Sequence, residues 1–285
     1  VKKVPIKSYK AATDETTLKP GDYVRNIFDL NTRNHLILFT SLGNYLFIPV
    51  YQINECKWKD LGKHVSNLVM IKENEKIIDS YIYEPEKYLV LTSKNGMVKK
   101  VRMNEYEVSR CSKPMCAIKL KDGDELVSAK EFLDKTLLVT NNNYYLLFST
   151  GEIPEVGAKA AGVKGINLKD DYVVSSMQIG NNDEYINIFT NLNTAKRVKI
   201  TDLILFTRNK KGKEIIKKNK TKDYRVISAY PSNAKTINVL KTDSDVNEIK
   251  NSDIPIMDVN SFGSNYTHLR VMEVKPKYEI NKVKE

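Results

Sequence analysis

The strongest constraint in this chain is a phrase that returns five times. An apolar run ends at Thr40 ("LFT"), Thr92 ("VLT"), Thr140 ("LVT"), Thr190 ("IFT") and Lys241 ("VLK"), at spacings of 52, 48, 50 and 51 residues. Turn residues follow each time: "SLGN", "SKNG", "NNNY", "NLNT" and "TDSD". Two apolar runs joined by such a turn read as a β-hairpin. Ser41-Leu42-Gly43-Asn44 lacks the glycine spacing and the Lys-Ser/Thr ending of a phosphate-cradling loop. A period of about fifty residues holding several short strands belongs to propeller blades rather than to helical repeats.

A second phrase places an apolar residue and Lys before acidic or turn residues and an apolar pair. It occurs as "LKPGDYV", "IKENEKII", "LKDGDELV", "LKDDYVV", "KTKDYRVI" and "VKPKYEI", six times against five hairpins. The surplus lies in residues 4–31, which read as a leading half-blade. The expectation is therefore an all-β propeller of six blades, one of them composite or broken, with five blades as the alternative. Residues 32–84, 85–132, 133–180, 181–232 and 233–280 form the repeats of one domain spanning 1–285, a normal size for an array whose repeats contact their neighbours.

Composition limits function more than fold. No apolar run is long enough to span a bilayer and "VKKVPIKSYK" resembles no signal peptide, so the chain reads as cytosolic. Cys56, Cys111 and Cys116 match no zinc spacing and are odd in number, which fits incidental or buried thiols rather than a disulfide framework. His35, His64 and His268 lie in distant repeats with no recurring acid beside them, arguing against a metal or a triad. The net charge of +11 points to a polyanion, although a lysine-rich composition alone has the same effect.

Position sharpens the charge. Twenty-two residues after each anchor stand Gly62, Pro114, Gly162, Gly212 and Gly263, a shared backbone turn. Around it cluster Lys57, Lys59 and Lys63; Arg110 and Lys113; Lys159 and Lys164; and Arg208, Lys210, Lys211 and Lys213, while the fifth copy, "DVNSFGSN", has no base. Equivalent loops fall on one rim of a propeller, so these residues form a candidate stripe for nucleic-acid phosphates, with small residues at the turn allowing close approach of a sugar-phosphate backbone. A weaker candidate is "VKKVR", with Lys99, Lys100 and Arg102; Lys100 and Arg102 share one strand face, as on any half-exposed strand. Trp58 and the tyrosines do not interleave with bases as a single-strand platform requires.

"GNYLFIPVYQINECKWKDLGKHVSNLV", "TSKNGMVKKV" and "AAGVKGINLKDDYVV" resemble the C-terminal DNA-binding domains of bacterial type IIA topoisomerase A subunits, those of topoisomerase IV of the Gram-positive or mollicute kind in particular. The similarity covers nearly the whole chain and fades in the last repeat. It implies a β-pinwheel, in which neighbouring blades exchange hairpins, contacting double-stranded DNA along its outer rim. It also implies bacterial cytoplasm near the nucleoid, and a heterotetramer built with the rest of the A subunit, together with the ATPase subunit. Cleavage by a tyrosine, with ATP and magnesium, would belong to other domains and subunits. This domain would be a non-catalytic monomer without a cofactor. "TRNKKGKE" and "AKAAGVKG" do not match the Gln-Arg-Arg-Gly-Gly-Lys-Gly box of the gyrase paralogue, so strong wrapping is not expected. The competing class is a protein-interaction propeller, which predicts an apolar patch and charge without angular order. An enzyme would need polar groups converging at the axis, and the repeats carry no such phase.

Overall fold

In a computed structural model of the chain, residues 1–13, 16–109, 111–278 and the backbone of 280–282 are described. The recurring threonine has a structural task. The hydroxyls of Thr40, Thr140 and Thr190 accept hydrogen bonds from the NH of Asn44, Tyr144 and Thr194 at 3.2, 3.1 and 3.3 Å, closing the hairpin turn from inside. In the second repeat Ser93, not Thr92, holds this place, bonding Met97 NH at 3.3 Å. Gly43, Gly96, Asn143 and Asn193 take the left-handed turn position, with φ of 75°, 77°, 70° and 56°, which only glycine and asparagine adopt readily.

Each hairpin is the middle of an antiparallel blade, and the described residues form five blades, not six. Blade 1 runs Ile77–Ile82, His35–Thr40, Asn44–Pro49, then Met115–Cys116. The same order, inner strand to outer, gives blade 2 as Leu126–Glu131, Tyr88–Ser93, Met97–Arg102 and Val163–Lys164. Blade 3 is Val173–Ile179, Lys135–Thr140, Tyr144–Ser149 with Lys213–Glu214 and Leu205–Phe206 on its edge. Blade 4 is Val226–Ser232, Tyr185–Thr190, Thr194–Lys199 and Ser264–Asn265, and blade 5 is Val271–Pro276, Ile237–Thr242 and Val246–Lys250. The outer strand of blades 1 to 4 thus comes from the next repeat.

The described residues of 4–31 build no blade. Their strand Ile27–Asp29 pairs in parallel with Ile280–Lys282, and their "LKPGDYV" phrase finds no hairpin to pair with. The Arg25 guanidinium instead donates to the carbonyls of Ile77 and Ile78 at 2.9 and 3.3 Å, and the Asn26 amide to the Ser80 hydroxyl at 2.7 Å. The segment therefore lies along the inner strand of blade 1. Phe28 and Leu30 pack on Leu36, Leu38, Leu46 and Ile48, a blade 1 surface distinct from the Ile37 and Phe39 side that meets blade 2.

The core lies between blades. Ile37 and Phe39 of blade 1 meet Leu89, Leu91 and Val101 of blade 2; Val90 and Val98 of blade 2 meet Leu138 and Leu146 of blade 3. Alternate residues of one strand face opposite neighbours, so blades 1 to 4 are apolar on both sides, with about 1.5–3 kcal/mol for each fully buried aliphatic side chain. Inner strands are also stitched by polar groups: Asp79 accepts from Ala129 NH at 2.9 Å and from Lys130 Nζ at 2.5 Å, and Ser175 accepts from Ala229 NH at 2.9 Å.

Strand exchange explains the phased glycines. A Cβ on Gly162 would stand 2.3 Å from Val98 O, on Gly212 2.0 Å from Tyr145 O, and on Gly263 2.8 Å from Ala195 O. The turn is tight because it delivers the outer strand onto the preceding blade, not to admit a ligand. In the first repeat the corresponding neighbour is the start of the chain: a Gly62 Cβ would lie 2.7 Å from Val1 O, and Lys63 NH donates to Val1 O at 2.9 Å. Gly212→Ala is expected to cost about 2 kcal/mol or more in urea unfolding, because left-handed strain and a backbone clash add. Gly21→Ala, at φ 76° with nothing within 4 Å of its Cβ, should cost about 1 kcal/mol; equal losses at both sites would refute the exchange explanation.

A lysine fastens three of these joints. Lys2, Lys99 and Lys196 each follow the residue that the joint glycine abuts. Lys99 Nζ donates to the Gly157 and Ala158 carbonyls at 3.2 and 2.6 Å. Lys196 Nζ reaches the carbonyls of Ile215, Asp258, Val259 and Ser261 at 2.6, 3.2, 2.6 and 2.7 Å. Lys2 Nζ does the same for Trp58 and Asp60 at 2.5 and 2.8 Å. Leu46 and Leu146 hold the place in blades 1 and 3, so the lysine is a way of filling an apolar slot while pairing the carbonyls of the incoming loop.

Candidate nucleic-acid interface

The loops that deliver outer strands are the loops that carry the bases. Lys57, Lys59 and Lys63 are exposed beside the Val1–Lys3 segment; Lys113 is exposed at the edge of blade 1, Lys159 and Lys164 at blade 2, and Lys210, Lys211 and Lys213 at blade 3. Each loop thus serves the blade before its own repeat. Arg110 lies outside the described residues. Pro114 stands where the other copies have glycine and leads directly into Met115–Cys116.

Successive loops are joined. Lys119 NH donates to Ala160 O at 3.4 Å, Asn167 NH to Lys210 O at 3.0 Å, Asn209 NH to Gly165 O at 2.8 Å and Lys217 NH to Asn260 O at 2.9 Å. Backbone bonds of this kind fix the spacing of the lysines from blade to blade. The loop of the fifth repeat, Asn260 to Asn265 on blade 4, continues the backbone of this chain of loops without a lysine or arginine.

Two sets of expected contacts are assigned differently. Arg208 is half-buried and braces two loops: its NH bonds Glu152 Oε2 at 2.8 Å, and its guanidinium donates to Glu152 O at 3.2 Å and to Lys164 O. In the "VKKVR" patch one residue is enclosed and the other two are engaged with neighbouring side chains. Lys99 is fully buried; Lys100 sits over the Tyr88 and Phe132 rings, 3.9 Å from Glu155; and Arg102 pairs with Glu86 over Tyr88. Alternation on the strand puts Lys99 on the Val101 side, which faces protein.

Residues that the rim phase did not select complete the charged surface. Lys169, Lys217, Lys218, Lys222 and Arg225 join the rim residue Lys211 in lining one groove between blades 3 and 4. The sequence signal for Lys217, Lys218 and Lys222 is the run "KKNKTK" at 217–222, which lies outside the phased loops.

Among the described residues no group of three His, Cys, Asp or Glu side chains could hold a metal. His35 stacks on Phe47, with ring centroids 4.9 Å apart, and His64 pairs with Ser66 Oγ at 2.7 Å. Cys56, Cys111 and Cys116 are free thiols, and burial raises the pKa of Cys111. Burial also pulls Lys99 down to about 8 and Lys196 to about 7. Both lie inside the protein, where their task is structural. Among the described residues no helix is long and apolar enough to cross a membrane.

Comparison with known proteins gives a consistent result. The family model described as the DNA gyrase C-terminal domain, a β-propeller, matches residues 34–82, 87–131, 134–181 and 184–233. The A subunit of DNA topoisomerase 4 from Bacillus subtilis strain 168 is 32% identical over 271 residues, 93% of this chain and 34% of that protein. The Staphylococcus aureus MRSA252 counterpart is 33% identical over 237 residues, 81% of this chain and 30% of that protein. The chain therefore spans about a third of the length of these relatives. A crystal structure of the C-terminal domain of DNA topoisomerase IV superposes with a TM-score of 0.91 at 34% identity, covering 96% of this chain and 89% of that one.

Proposed function

The chain belongs to the gyrase A C-terminal domain family, and we propose that it is the duplex-DNA-holding domain of a type IIA topoisomerase A subunit of the topoisomerase IV kind. The observation that carries this reading is the row of exposed lysines on exchanged outer segments, held in register by loop-to-loop backbone bonds and ending at the fifth loop. Lysines at that spacing neutralise phosphates along a curved path and release counterions, offsetting part of the cost of bending the duplex. Base-specific readout is not part of the function, because the rim offers point charges and backbone rather than an element that enters a groove.

In this reading the domain positions DNA for ATP-dependent strand passage, decatenation and relaxation performed elsewhere in the enzyme. It works as a monomeric module in the bacterial cytoplasm and needs no cofactor of its own. The remainder of the A subunit, together with the ATPase subunit, supplies the tyrosine, magnesium and nucleotide chemistry.

The test is the affinity of the 285-residue chain for linear, negatively supercoiled and positively supercoiled DNA across a salt series. A log-log salt slope on the order of −5 is expected if about six phosphate contacts form. Salt-independent binding, or none, would overturn the proposal and favour a protein-interaction propeller.

A further inference from the structure

The groove between blades 3 and 4 has a volume of about 400 Å³ and is lined by six cations against two carboxylates, Asp171 and Asp223. Both carboxylates are already engaged. Asp171 Oδ1 accepts from the NH groups of Asn142 and Tyr172 at 2.9 and 2.8 Å, and Asp223 Oδ2 accepts from Arg225 Nε at 3.0 Å. Lys211 lies 4.4 Å from the Tyr144 ring centroid, and Lys217 lies 5.1 Å from that of Phe262. Lys169, Lys218 and Lys222 are exposed and make no ion pair among the described residues. The loop that carries Lys218 and Lys222 is held in shape by Asn219, whose side-chain oxygen accepts from Thr221 NH, Thr221 Oγ1 and Lys222 NH at 2.8, 2.9 and 3.0 Å. A concave site with uncompensated, convergent positive charge on an ordered loop selects an anion of high charge density.

Lys211 belongs both to the rim loop and to this groove, so the rim stripe runs into it without interruption. The next rim position, on blade 4, has no base. We infer that the groove is a second phosphate site, taking the phosphodiester backbone of a duplex that leaves the rim at blade 3 and turns toward the hairpin-turn face. The stripe ends at the fifth loop because the DNA is no longer on the rim there. This rests on the DNA-holding reading above and adds a path to it.

The experiment compares the chain with its Lys218→Glu/Lys222→Glu variant, on a duplex of several helical turns and on one of a single turn. Two lost phosphate contacts should reduce the salt slope for the long duplex by about 1.8, and lower its affinity about thirtyfold at physiological salt. The single-turn duplex, short enough to stay on the rim, should bind both proteins alike. A Lys218→Gln/Lys222→Gln variant reads the same slope should the glutamates impair folding. An unchanged slope for the long duplex overturns the groove but leaves the rim, provided Lys159→Glu/Lys164→Glu still weakens binding; failure of the parent chain to bind any duplex overturns both. Inorganic tripolyphosphate distinguishes the remaining source of phosphate. It should compete with the long duplex, and binding of it that is lost in the variant without any change in duplex slope would mark a free-phosphate site and sink the proposed path.

Discussion

Lys196→Met is expected to lower the unfolding free energy by about 4 kcal/mol, and Lys99→Met by about half as much. The difference follows from what each Nζ group holds. Lys196 pairs four backbone carbonyls that the fold encloses, and Lys99 pairs two. A buried acceptor stripped of its donor costs about 1–3 kcal/mol, and the apolar slot recovers only part of that through the methionine side chain. Urea denaturation monitored at constant m-value would check the ranking. Equal losses, or a stabilised Lys196 variant, would mean that the carbonyls find water once the lysine is gone.

The same residues set a pH dependence. Burial pulls Lys196 to about 7 and Lys99 to about 8, whereas a lysine of the unfolded chain holds its proton to about 10.4. Between those limits the unfolded state binds more protons, so stability should climb as pH rises from about 7 toward 10. The buried-charge penalty is present in full below that window. Lys275, also lowered by burial, adds to the rise. Tyr81, Tyr106 and Tyr230 are raised well above the usual phenol value by burial, so stability should fall again above about pH 10, as the unfolded phenols ionise first. In Lys196→Met the climb should be shallower, and a climb of unchanged steepness would assign it to other groups.

The hairpin period was legible because a hydroxyl is needed inside each turn, and threonine recurs where that hydroxyl sits. In the second repeat the strand Tyr88–Ser93 matches His35–Thr40, so the task falls to Ser93 and an alignment on Thr92 stands one residue out of register. Six copies of the second phrase suggested six blades. An inner strand, however, becomes a blade only when it has a hairpin beside it, and the first copy has none. Lys99 lay within a strand whose alternation was readable, and alternation places it on the inner side. What spacing could not disclose is that a lysine fits there, since its partners are carbonyls 58 and 59 residues away in the chain. The glycine phase was equally plain while its cause was not: the clash it avoids is with the neighbouring blade, a contact visible only in three dimensions. Lys217 and Lys218 escaped for the opposite reason, because they stand outside both recurring phrases.

Replacing Lys210, Lys211 and Lys213 together by glutamate should weaken duplex binding by about a hundredfold or more at physiological salt. Each lost phosphate contact accounts for about fivefold, and the introduced carboxylates add repulsion. Ser264→Asp with Asn265→Asp, on the outer strand of the next blade, should change affinity by no more than about threefold. That contrast is the discriminating quantity, because a cationic chain that attracts DNA only through its net charge would respond to the number of charges altered and not to their place. At physiological salt the Debye length is about 8 Å, so exposed charges act on the phosphates nearest them. Lys159→Glu with Lys164→Glu, one blade earlier, should then give an intermediate loss and a salt slope smaller by about 1.8. Losses proportional to charge at every blade would mean that the duplex follows the whole perimeter. Losses confined to Lys210–Lys213 and absent at blade 2 would shrink the interface to one blade and remove the reason for a curved path, and with it the bending that the proposed function requires.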